Sequence, residues 1–259
     1  MNIQNKYKML LLLLISLNAF AENESYTQWV ANGKPELNYV PVAPTQPSGA
    51  LATFGDLASF QAATPGAVLN FEDFEGGATG PGGINTCTPP VDSNSNDPCF
   101  SPGDLIGGFN LNVSTPGNDL VALGDGFIFQ PTVVVGANTF TDSTILNFTN
   151  TDVEAVAMEI TDNVGGTVTL TVSGNSGVLG TVPVNITGVG AMTFVGIIAA
   201  EPITSIAIEQ DGGNGEVIDN LYFGSLVPPV PLVIPTLSGF GLVLLGLALF
   251  FFVRKRVQV

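Results

Sequence analysis

Alternation of apolar and polar side chains dominates the middle of this chain. Residues 167–172 read TVTLTV, which places Val168, Leu170 and Val172 on one face and Thr167, Thr169 and Thr171 on the other. A period of two is that of a half-buried strand. Similar short runs occupy residues 68–71, 109–113, 127–135, 145–148, 153–160, 178–186, 192–198, 203–208 and 217–223, with Gly, Asn, Asp and Pro between them. Many short strands punctuated by turn residues predict an all-β domain, a jelly-roll-like β-sandwich rather than an α/β fold. One segment breaks the period. Residues 53–63 space Phe54, Leu57, Ala58 and Gln61 as in a short amphipathic helix, with Thr53 as N-cap and Asp56 in the first turn, which would plug an edge or end of the sandwich. No internal repeat is visible.

The two ends are apolar in a different way. Lys6 and Lys8 precede an apolar run over residues 9–17, and Ala19 and Ala21 supply the small residues that signal peptidase reads. This predicts a signal peptide over residues 1–21 and a mature chain starting at Glu22. Residues 234–253 are uncharged and mostly apolar, and at about 1.5 Å per residue a helix of that length spans the roughly 30 Å hydrocarbon core. Arg254, Lys255 and Arg256 follow at once, a basic stop retained on the cytoplasmic side. Everything before Ile234 is then expected outside. Pro35, Pro41, Pro44 and Pro47 mark a linker over residues 22–48, and Pro228, Pro229 and Pro231 mark a stalk over residues 227–233. Between them lies one domain, residues 49–226.

Ile234, Pro235, Thr236, Leu237 and Ser238, followed by the apolar span and the basic cluster, resemble the IPTL-CTERM sorting signal of Gram-negative bacteria, a relative of the PEP-CTERM signal. Family members usually continue with an acidic residue and Trp, where this chain has Gly239 and Phe240. The resemblance covers residues 234–259. It implies an exosortase-like processing enzyme as partner, and a protein held first in the inner membrane with its domain in the periplasm, then at the cell surface or outside once the tail is removed. The segments at residues 51–74 and 194–224 also resemble the exported β-sandwich domains that often precede such tails, which are similar to galactose-binding-like jelly rolls and carbohydrate-binding modules.

Charge narrows the chemistry. All 22 acidic residues lie in residues 22–233, against one cation there, Lys34, a net of −21. Nothing is available to neutralise phosphates, which excludes nucleic acid as a partner. The chain has no histidine, which removes Ser-His-Asp and Cys-His nucleophile activation and His-ligated zinc. Glu72, Asp73 and Glu75 could serve carboxylate-based glycoside hydrolysis, yet acids in so Gly-rich a segment are more often solvated or bound to calcium. An enzyme is not expected.

Calcium is the cofactor the sequence favours. If the first and last strands run side by side, Glu72 and Asp219 meet and supply hard oxygen ligands. Asp92, Asn94 and Asn96 form a second, poorer candidate, lacking the Gly at the sixth and the Glu at the twelfth position of a calcium loop. Asx turns explain the same residues. Cys87 and Cys99 flank that loop, and in an exported protein they predict a disulfide stabilising the domain by roughly 3 kcal/mol through chain entropy. Two function classes result: a non-catalytic surface or matrix protein, or a module binding exopolysaccharide. The second is weakened by the apparent lack of stacking aromatics, since Trp29 falls in the linker, the tyrosines are Tyr7, Tyr26, Tyr39 and Tyr222, and the phenylalanines read as core.

Overall fold

A computed structural model describes residues 24–34, 51–210 and 214–226. The expected signal peptide with Ala19 and Ala21, the expected stalk, and the tail with its expected sorting motif, span and basic stop lie outside the described residues. No helix among the described residues is long and apolar enough to cross a membrane.

The described part is all-β, two sheets and two short helices. The smaller sheet runs β10 (Gly177–Ile186), β9 (Gly166–Gly174), β12 (Ile203–Gln210), β7 (Thr144–Phe148), β4 (Phe109–Val113). The larger runs β1 (Leu51–Phe54), β11 (Thr193–Ala199), β8 (Ala155–Asp162), β13 (Glu216–Ser225), β6 (Val134–Ala137), β5 (Leu120–Leu123), β3 (Ile84–Cys87), with β2 (Val68–Glu72) added beside β13. All pairings are antiparallel. The sheets share one core. Val168, Leu170 and Val172 of β9 and Ile206 and Ile208 of β12 meet Val156, Met158 and Ile160 of β8 and Ile218, Leu221 and Phe223 of β13, all fully buried. Each such side chain contributes about 1.5–3 kcal/mol of transfer free energy.

The smaller sheet keeps polar residues outside, so its strands alternate as the sequence predicts. The larger sheet is covered on its outer face as well. Helix α1 (Tyr26–Ala31) closes one apolar cluster there, packing Tyr26 and Trp29 against Val121, Leu123, Val134 and Val217 with Phe127 and Phe140. Helix α2 (Leu57–Ala63) closes another, setting Phe60 on Ala155 and Ala157. A Cβ at Gly196 would stand 2.7 Å from the Phe60 ring, so glycine is required for this approach.

Three sequence expectations change. The segment read as linker carries α1, with Ser25 capping it and Tyr26 and Trp29 buried. Thr53 is not a helix cap: it pairs with Ile197 in β1, Gly55 follows, and Asp56 caps α2 by accepting from the Ser59 N–H at 2.8 Å. That helix packs on the sheet's outer face over the edge strand β1 and its neighbour β11. The run at 127–135 is mostly loop, with strand only from Val134. Phe127 and Ile128 turn down onto the α1 cluster, while Phe129 takes φ 71°.

Candidate functional site

The last strand changes partner halfway along. Val217 and Ile218 of β13 pair with β6, whereas Leu221 to Ser225 pair with β2, where Leu221 faces Glu72. The strand bulges between Asp219 and Tyr222, with Asn220 in the left-handed region at φ 48°. Here the sheet forks. A fork leaves main-chain donors without ladder partners, and buried donors must find acceptors.

Carboxylates supply them. Glu72, buried, accepts from the Phe74 N–H at 2.8 Å with Oε1 and from the Ile106 N–H at 2.7 Å with Oε2. Asp73 accepts from the Glu75 N–H at 3.1 Å, and Glu75 reaches across the fork to accept from the Val133 N–H at 2.8 Å. Asp219 accepts from the Thr132 hydroxyl at 2.6 Å and from the Asn220 N–H at 2.6 Å. Burial drives the Asp219 carboxyl up to about 7; the Thr132 and Asn220 donors oppose this, and the charges of Glu159 and Glu75 add to it. Burial likewise raises Glu72 against the pull of the Ile106 and Phe74 N–H groups.

The strands carrying Glu72 and Asp219 are therefore neighbours, and both side chains already hold protein donors. Among the described residues no group of three or more acidic, histidine or cysteine side chains is placed to hold a metal ion. In the other candidate loop, Asp92 accepts from the Asn94 N–H at 2.7 Å, an Asx turn, while Asn94 and Asn96 are exposed. Asp97 gathers the N–H groups of Cys99 at 2.8 Å, Phe100 at 3.1 Å and Thr88 at 3.1 Å. Cys87 and Cys99 are joined, as predicted.

Two features escaped the sequence reading. Phe71 and Tyr222 are cross-strand partners on the outer face, with ring centroids 4.6 Å apart and planes 34° apart. Phe71 is 43% exposed and Tyr222 partly so. Phe71, at the end of the run 68–71, reads as core only if the strand is covered on both faces, and alternation through Phe71 and Glu72 was the available signal. The Tyr222 hydroxyl is held above its ordinary range by burial first, then by Glu159 and Asp219. Second, β4 and β7 line an open cleft of about 460 Å³ with Asn112, Ile145 and Asn147, beside Pro116 and Asn118. The Asn112 and Asn147 side-chain amides both donate to Asn110 Oδ1, at 3.0 and 3.1 Å.

A separate buried pair lies under α1. Asp162 and Glu216 are cross-strand neighbours, both buried, and the Tyr26 hydroxyl donates to the Gly215 carbonyl beside them. Burial pushes Glu216 well above the carboxylate range and Tyr26 well above the phenol range.

No family model matches the chain, and no curated protein matches it. Among solved structures, a mutant of the family 29 carbohydrate-binding module CBM29-2 aligns over 58% of this chain and 99% of its own, with 12% identity and a TM-score of 0.29. A likeness that slight carries no argument.

Proposed function

We propose that this chain is an exported, non-catalytic surface or matrix protein. A signal peptide delivers it, and the tail from Ile234 anchors it for an exosortase-like enzyme. The observation that carries the reading is the Cys87–Cys99 disulfide, which closes the most polar loop of the domain. Such bonds persist in oxidising compartments and are rare in cytosol. The non-catalytic half of the reading rests on the acids. Glu72, Asp73 and Glu75, the residues suited to glycoside hydrolysis, each accept a loop N–H, and Glu72 is buried with both oxygens so engaged. Protease shaving tests export: spheroplasts should lose the domain to added protease without lysis, and a domain digested only after lysis would reject the proposal.

Polysaccharide binding is the second reading, favoured by the exposed Phe71–Tyr222 pair. Aromatic faces half in water suit the apolar face of a sugar ring, and the hydroxyl of Tyr222 adds a polar handle. The Asn-lined cleft offers amide donors and acceptors for hydroxyl groups.

A further inference from the structure

The outer face of the large sheet is capped by α1 and α2 but open between them, where Phe71 and Tyr222 lie. Glu159 stands beside this pair. In register, Tyr222 faces Ala157 and Asp219 faces Glu159, so Glu159 is the next residue of β8 on the same face. The Asn220 amide donates to Glu159 Oε2 at 2.7 Å and fixes the carboxylate beside the rings. No hydrogen bond reaches Oε1 among the described residues. Glu75 is exposed on the same fork.

No counter-charge for Glu159 is found among the described residues. Lys34, the sole cation among the described residues, donates to the Phe127 carbonyl at 2.8 Å and lies 3.8 Å from the Phe127 ring centroid, within the α1 cluster. Aromatic faces beside a positioned carboxylate match a ring that has an apolar C–H face and a positively charged substituent. The occupant is small, since the patch is two rings and one carboxylate, whereas a stable protein interface needs about 800 Å² per partner.

Building on the polysaccharide reading, we infer that Phe71, Tyr222 and Glu159 form a subsite for a free amino sugar in a polysaccharide, the pyranose ring on the aromatic pair and its ammonium at Glu159. Calorimetry at pH 6 on the full chain in detergent tests this with hexamers of glucosamine, N-acetylglucosamine and glucose. The glucosamine hexamer should bind about tenfold more tightly than the other two, a ratio expected of one charge-assisted contact. Its advantage should shrink in high salt and vanish in Glu159→Gln, while Phe71→Ala, with its melting curve unchanged, should weaken all three. Equal affinities for the free and acetylated oligomers, or a Glu159→Gln variant that keeps the preference, overturn the inference and leave the polysaccharide reading standing. Binding to none of the three overturns both. Oligolysine binding as tightly as the glucosamine hexamer overturns the sugar assignment in favour of a basic peptide.

Discussion

An acid with no cation nearby must either collect N–H and O–H donors or keep its proton. Both outcomes occur here. Asp97 gathers three main-chain N–H groups, and Glu72 engages one with each oxygen. Asp219, more deeply desolvated and facing Glu159, is raised to about 7. An unfolded Asp titrates near 3.9, so the folded state binds the proton more tightly. Stability contributed by protonated Asp219 is thus full below about pH 4, falls as pH rises toward 7, and is flat above that. Asp219→Asn removes this titration and keeps an acceptor for Thr132. At pH 8 the variant should be more stable than wild type by on the order of 2–4 kcal/mol, with the advantage fading toward pH 4. Thermal melts across that range check it; parallel curves for the two proteins would mean that Asp219 is not desolvated.

Elements were legible in the sequence where one face meets water. β9, with Val168, Leu170 and Val172 inward, follows directly from alternation, and so does β4. β5 does not, because Leu120, Val121, Ala122 and Leu123 are all buried, two toward the shared core and two under α1. Four residues without a period carry no strand signal. Helix α1 was hidden for another reason. It has six residues, too few for a periodic pattern, and its stability comes from docking rather than propensity. The candidate site was half legible. Glu72 and Asp219 were expected as neighbours from the order of the strands, but the donors that occupy them, the Phe74 and Ile106 N–H groups on Glu72 and the Thr132 hydroxyl and Asn220 N–H on Asp219, come from loops and the bulge, which no local pattern announces. Tyr222, between inward-facing Leu221 and Phe223, emerges on the outer face by simple alternation. The docking of α1 makes its own prediction: Trp29→Ala should cost about 3 kcal/mol in urea unfolding followed by circular dichroism, since it opens the cluster over Val121 and Val217. An unchanged midpoint would show that the helix adds nothing to the domain.

At the scale of the whole molecule, the domain is a polyanion whose described residues are tied by hydrogen bonds and one disulfide. Net charge of −21 over residues 22–233 favours solubility and repels other anions. Five of the six cations lie in residues 1–21 and 234–259. Signal cleavage and tail removal would leave Lys34 alone, buttressed on Phe127. The central claim is that such a chain is exported, oxidised and trimmed. Intact-mass analysis of the protein from membrane and secreted fractions, before and after reduction, tests all three steps together. The account predicts a species beginning at Glu22 in both fractions, gaining the mass of two hydrogens on reduction, and ending near Ile234 in the secreted fraction. A chain that retains Met1, or has free thiols without reductant, or carries Arg254 to Val259 in every fraction, would contradict it.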